Sequence, residues 1–499
     1  CVPCCPGISN TVPCRLTGKP FGDIYVHQDP PLWKAYIDAV THQMARIAAL
    51  DVKPDFLLCG GSGSLVWQSP DTFRDLALPV LRGNLHTTEA MLRGTPAEVA
   101  AAARKAMADT ERQRSTETMT KRERIRAQLA GQPVDRVPRV GGWILGAANL
   151  ANLAGITTDD YLADPAGGVA QALAKLDVDA VAGPIIPREA GQIRDGKLEE
   201  YDFRDVTPEK LQEDADALPD TEADVVAGVD LDATYAEYSQ SIRGTRALIG
   251  DAEIMPMFWA ADAGFSLYFQ YGYEAFLAAT ALYPEAVAKI YWADGIATRE
   301  RNRALLRCYR EFDLPPILFC GDDICTAQGP MVSPVWLREH YWPHSKTALQ
   351  PLADAGIRLI HHCDGNVTPL LDDMIEAGFT GFQGFQYEFG VDPFVMREKL
   401  AARGVRPLFL GGLSVTQTLP FGTDDDVRAE IDYAFDFSAG GRDLFLFTSN
   451  VTGVEVPPER IREAYAYAAT RPVASADAPE PAPRPWPWGL KHPDGYFGL

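Results

Sequence analysis

The chain has 499 residues, 46% of them hydrophobic and 10% aromatic, and carries 46 basic against 68 acidic side chains for a formal charge of −22. That content excludes a disordered or fibrous chain, and the length requires one large decorated core or a core plus a smaller unit. A surface this acidic repels phosphate backbones and anionic lipid, so neither a nucleic acid nor a membrane is an expected partner, and no apolar run approaches the roughly 18 residues of a membrane-spanning helix.

Nine cysteines are too few for a disulfide scaffold, and their odd number leaves at least one unpaired. With no charged segment followed by an apolar core at the start, a reducing, cytoplasmic setting is expected. Cys1, Cys4, Cys5 and Cys14 crowd the first residues, where a metal clip would need a second pair that does not follow.

Residues 1–115 read as a degenerate partial repeat of what comes later, with chance similarity of two helix starts as the competing reading. Ser69-Pro70, Phe73-Arg74-Asp75 and Pro79 recur at the same spacing as Ser333-Pro334, Leu337-Arg338-Glu339 and Pro343, and Cys59-Gly60 mirrors Cys320-Gly321. Gly94-Thr95 with Val99 repeats Gly422-Thr423 with Val427, yet residues 80–93 stand where the later copy has 344–421. So short a copy leaves unpaired strand edges, and it is expected to pack on the intact domain or on another subunit, which makes a homo-oligomer an expectation.

The second segment, 118–470, opens with a capped amphipathic helix from Thr120 to Gly131, where Thr120 and Glu123 have capping-box spacing and Ile125 and Leu129 share a face. Apolar strand-like runs then alternate with helical patterns, near 138–143, 179–186, 253–259, 315–321, 357–362, 379–383, 407–411 and 443–448. Eight such runs predict an α/β chain with a parallel sheet closed as a (β/α)8 TIM barrel. The tail, 471–499, with Pro472, Pro479, Pro481, Pro483, Pro485 and Pro487, is expected to be an extended arm.

In such a barrel the chemistry lies where strands end, which selects Asp322 and Asp323, then His361, His362 and Cys363, then Ser449 and Asn450. An imidazole and a thiolate suit zinc, and His361 and Cys363, two apart, would share a face. Two ligands are not a site, so Glu388, Asp322 or Asp323 would complete it; without metal, His361 serves as acid or base and Cys363 as packing. Of the adjacent aspartates Asp322 and Asp323 only one can point inward, as proton carrier or ligand, while the other anchors a loop; two plain turn residues are the competing reading. Gly411-Gly412 permits a close backbone approach or a tight turn. Trp259, Phe265, Tyr268, Phe269, Tyr271 and Tyr273 either line a pocket for a flat substrate or form the core of a helical insertion. Trp259, Asn366, Gly411 and Asn450 are the candidate substrate contacts.

The run Met119–Arg124 through Gly131, then Asp135-Arg136-Val137-Pro138, Gly321-Asp322-Asp323, Gly329-Pro330, Ser333-Pro334, His361 with Cys363-Asp364-Gly365-Asn366, Gly411-Gly412 and Gly422-Thr423, taken in order, resembles the uroporphyrinogen decarboxylase-like superfamily. The resemblance covers roughly 118–470. It implies either a metal-free decarboxylase or, on the cobalamin-dependent branch, a methyltransferase that uses zinc on a His-x-Cys motif and a later Cys. Val140-Gly141-Gly142-Trp143 and Pro184-Ile185-Ile186-Pro187 stand where the decarboxylases have arginines and a catalytic Asp, which favours the methyltransferase branch. The late Cys is replaced by Thr448-Ser449-Asn450, a departure from that branch. The expected activity is transfer of a methyl group between a small methoxylated compound or thiol and a separate corrinoid protein carrying methylcobalamin, with Zn2+ assisting and Asp322 or Asp323 relaying the proton. A decarboxylase, or a non-catalytic barrel with an assembly role, are the alternatives.

Overall fold

A computed structural model describes residues 119–189 and 205–486, all within Met119–Leu499, the second of two units into which the chain divides. The readings of residues 1–115, the Cys1–Cys14 cluster and residues 487–499 lie outside the described residues.

Helix α1 (Lys121–Leu129) starts as its sequence dictates: the Thr120 hydroxyl accepts from the Glu123 amide while the Glu123 carboxylate accepts from the Thr120 amide. Such a cap contributes about 1 kcal/mol. Ile125 and Leu129 are buried on one face, and the helix is pinned by Arg124, whose buried guanidinium pairs with Asp135 at 2.6 Å and with the fully buried Asp179.

Strands β1 (Val140–Gly141), β2 (Ala180–Val181) and β3 (Glu253–Ile254) form a parallel sheet in that order. A five-stranded parallel sheet follows, β8-β7-β6-β5-β4, from β4 (Ile317–Gly321), β5 (Arg358–His362), β6 (Gly381–Gln383), β7 (Leu408–Leu413) and β8 (Leu444–Thr448). A strand is found at each of the eight predicted runs. Long helices, such as α2 (Pro284–Glu311) and α3 (Trp342–Asp354), intervene because a parallel connection needs a crossover of a dozen or more residues. Single parallel bridges join the edges of the two sheets, Met257 to Phe319 on one side and Arg139 to Leu446 on the other.

The strands separate two apolar layers by residue parity. Ala180, Met255, Phe319, Ile360, Leu410 and Phe447 belong to a cluster built almost wholly from strands. Their neighbours Val181, Ile254, Cys320, Leu359, Phe409 and Leu446 belong to the larger cluster shared with the helices. Each fully buried apolar side chain contributes roughly 1.5–3 kcal/mol, so a one-residue slip, which exchanges the two sets, is strongly opposed.

Residues 471–486 carry no helix or strand. Arg442 donates to the carbonyls of Ser475 (2.6 Å) and Ala476 (2.9 Å), Arg397 to that of Pro481 (3.1 Å), and Arg484 pairs with Asp436 at 2.7 Å. No helix among the described residues is long and apolar enough to cross a membrane.

Candidate metal centre

The parity that sorts the apolar residues also sorts the polar end of β5. Leu359, His361 and Cys363 face the helices, and Ile360 and His362 face the strand-built cluster. His361, 1% exposed, sets its ring edge-on to Phe379 at 4.6 Å and near Trp342 at 6.3 Å, and its Nε2 has no partner. Burial, then His362, drives its pKa down to about 3, so it stays neutral. The Cys363 sulfur accepts from the Ile324 amide at 3.3 Å and donates to the Asp364 carbonyl at 2.9 Å, and burial holds its thiol well above the ordinary range. The expected face-sharing pair therefore exists, but on the packed side of the sheet, and neither side chain is one of the three grouped donors.

His362 occupies the other face. Its ring lies 5.4–5.9 Å from Trp259, Trp143 and Phe319. The Gln383 amide donates to the carbonyls of Thr448 and Ser449, both at 2.9 Å, which turns its Oε1 onto His362 Nδ1. Nδ1 then carries a proton, and Nε2 stands 3.6 Å from Asp323 Oδ1. An imidazole oriented by a second-shell acceptor is the usual form of a metal-binding histidine.

Asp323 and Asp364 complete the group: one donor atom from each of Asp323, His362 and Asp364 lies within 4.8 Å of the others. Donors that share one cation at about 2.0–2.2 Å stand at most about 4.4 Å apart, close to the spacing of this group. The Asp364 amide donates to Asp323 Oδ1 at 2.8 Å, and Asn450 Nδ2 donates to Asp364 Oδ2. Asp364 Oδ1 is buried without a partner. Burial raises the Asp364 carboxyl to about 6, opposed by His362 and reinforced by Asp323. Asp323 keeps 43% of its side chain exposed, so the cluster opens to solvent on that side.

Gly321, paired in register with His362, adopts φ +118°. A Cβ there would stand 2.6 Å from the His362 carbonyl oxygen, so glycine is what lets Asp322 and Asp323 turn off the strand end.

The other predicted residues divide as follows. Asp322 accepts from the Ser266 hydroxyl at 2.7 Å and the Ser266 amide at 3.3 Å, so it anchors the loop while Asp323 faces His362. Its carboxyl is raised by burial to about 6. Behind it, Asp262 is raised to about 7 by burial and bonds Ser345 at 2.6 Å. Glu388 accepts from Thr416 and is not one of the three grouped donors. Asn366 accepts from the Thr368 amide at 3.1 Å and shapes its own turn. A Cβ on Gly411 would meet the Phe385 ring at 2.5 Å, so that glycine admits an aromatic ring from the helix side. Of the aromatic cluster, Phe265, Tyr268 and Tyr271 are buried in the core shared with the helices, while Trp259, Phe269 and Tyr273 are 43–58% exposed. A cavity of about 640 Å3 between Val181, Pro184, Ile242 and Met257 shares no wall with the acidic group.

Asp364, Gln383 and Trp143 are the residues that sequence reasoning passed over, while His362 was placed at the strand end but not among the ligands. His362 and Asp364 are themselves two apart, so the spacing argument fitted them equally, and only the strand register, with Ile360 beside Phe319, chooses between the pairs.

Neither a family model nor a curated relative matches the chain. Among solved structures, a methyltransferase from Methanosarcina mazei is 19% identical, with 70% of this chain and 98% of that one covered at a TM-score of 0.45. A candidate vitamin-B12-independent methionine synthase from Listeria monocytogenes is 11% identical, covering 67% and 96%, with a TM-score of 0.34. Both scores fall below 0.5, too low to assign a shared fold.

Proposed function

We propose that this chain is a metal-assisted methyltransferase whose centre is Asp323, His362 and Asp364. The observation that carries the site is the orientation of His362: one ring nitrogen is fixed by Gln383 and the other aims at a carboxylate pair at the strand ends. One nitrogen and two carboxylate oxygens fit zinc or a similar divalent ion, and the partnerless Asp364 Oδ1 is a donor left for it. When bound there, the ion supplies a Lewis acid able to polarise an ether oxygen or to lower a thiol pKa. The exposed ring of Trp259, against His362, offers a flat apolar wall for a methoxylated arene or a thiol. Asp364 Oδ1 is the atom that either meets the cation or holds a proton. Asp322, next in the chain to Asp323, retains a proton up to about pH 6 and is the adjacent store.

The reaction class, the corrinoid partner and its methylcobalamin rest on the ordered motifs of residues 118–470. The same reading makes the two sheets one closed (β/α)8 barrel, and the bridges at both edges support it. The test is methyl transfer between a panel of methoxyarenes and thiols and an added corrinoid protein. Transfer is expected to be lost on chelation and to fall at least about 100-fold in Asp364→Asn. Release of carbon dioxide from a carboxylic acid, undiminished by chelation, would support the decarboxylase instead.

A further inference from the structure

The turn that carries Asp364 into the metal centre is clamped from the loop after β6, residues 384–388. Gln386, 4% exposed, accepts from the Gly365 amide through Oε1. Gly384 lies against the same turn: a Cβ on it would stand 2.6 Å from the Cys363 carbonyl oxygen and 3.5 Å from Asp364 Oδ1, the oxygen without a partner. A second clamp is the Thr326 carbonyl, which accepts from the Asn366 amide at 2.9 Å. The 384–388 loop is held in turn by aromatic packing. Phe385 takes the space beside Gly411 and stacks on Tyr387, 6.3 Å away at 12°. Tyr387, 5% exposed, meets Tyr433 of helix α4 (Asp424–Phe437) edge-on at 5.6 Å and Trp486 of the C-terminal arm at 5.4 Å. Arg484 fixes that part of the arm, pairing with Asp436 at 2.7 Å and lying 5.2 Å over the Tyr433 ring.

Residues 471–486 have no helix or strand of their own, so the arm opens at a lower free energy than the paired strands. Trp486 is the point at which this loosely held segment meets the packing behind a ligand. We propose that the arm is a coupled part of the metal centre, with Trp486 a positioning residue that acts through Tyr387 and Gln386 on Asp364. This rests on the reading of Asp323, His362 and Asp364 as ion ligands. Trp486 packs the Tyr387 ring, Tyr387 fixes the backbone of Gln386 beside it in the chain, and Gln386 holds the Gly365 amide. None of the three is one of the grouped donors. Docking of the arm favours the ion by keeping Asp364 Oδ1 in place, and by linkage the ion favours the docked arm by the same factor.

The experiment uses the full chain, stripped with chelator and titrated with Co2+, whose visible absorption reads both affinity and ligand set. Trp486→Ala is expected to weaken Co2+ binding about tenfold and Gln386→Leu about 10–100-fold. Trp486→Phe, which keeps a ring on Tyr387, should restore most of the affinity. The double variant is expected to bind no worse than Gln386→Leu alone, because both changes break one route. Thr120→Ala, which destabilises the chain away from the arm, should keep the wild-type affinity and spectrum, so a loss in Trp486→Ala is not the mark of a weaker fold. Wild-type affinity in Trp486→Ala, losses that add in the double variant, or an equal loss in Thr120→Ala overturns the proposal. The first of these leaves the metal centre standing. A wild type that binds no Co2+ overturns the reading of the metal centre and this proposal with it.

Discussion

His361 and His362 are adjacent on one strand and meet two different solvents. His361 lies between β5 and the helices against Phe379, with no acid beside its ring, and burial keeps it neutral. His362 lies on the opposite face, with Gln383 behind it and Asp323 before it. The first arrangement serves packing and the second can hold an ion. The difference teaches that the identity of a residue selects a chemistry only after the pleat has selected a face.

If the comparison is right, changes on the helix-side face move stability, and changes around His362 move ion binding. The largest stability effect belongs to Asp262. Its carboxyl is raised from 3.8 to about 7, chiefly by burial. The native state thus binds an extra proton between those values, so stability falls as pH rises from about 4 to about 7 and is level above. Asp262→Asn does not ionise, and the variant should match wild type near pH 4 and exceed it at pH 8 by on the order of 2–4 kcal/mol. Urea melts at the two pH values check this, and equal differences at both would break the assignment. Next, His361→Ala should cost about 2–3 kcal/mol through the cavity left against Phe379, with ion content unchanged; chemical denaturation with elemental analysis of the same samples reads both.

Gln383→Leu removes the acceptor that orients His362 Nδ1. Ion affinity is expected to fall about 10–100-fold, measured by competition with a chromophoric chelator. An unchanged affinity would show that the imidazole is positioned by its aromatic neighbours alone. Smallest is Thr120→Ala, which breaks the capping box of α1 and should cost about 1 kcal/mol with no effect on the ion, seen as a shift in the urea midpoint.

Much of the fold was legible because its signals are local. The cap at Thr120 is written in four residues, and each of the eight apolar runs holds a strand. The strand end carrying the chemistry was legible too, since Asp323 and the His-His-Cys-Asp run stand where β4 and β5 finish. The face was not. Strands buried on both sides read as continuous apolar runs, so Leu359-Ile360 gives no alternation from which to tell one side from the other. The choice between His361 and His362 depended on long-range register, Ile360 beside Phe319 on one side and Gly381 on the other. Gln383 was invisible for the same reason, because its role arises from pairing with His362 across two strands.

The most direct measurement is the metal content of three single variants, purified in parallel with wild type and counted by elemental analysis. His362→Ala should lose the ion, while His361→Ala and Cys363→Ala keep it. Loss of metal in His361→Ala or Cys363→Ala, with full occupancy in His362→Ala, would contradict the account.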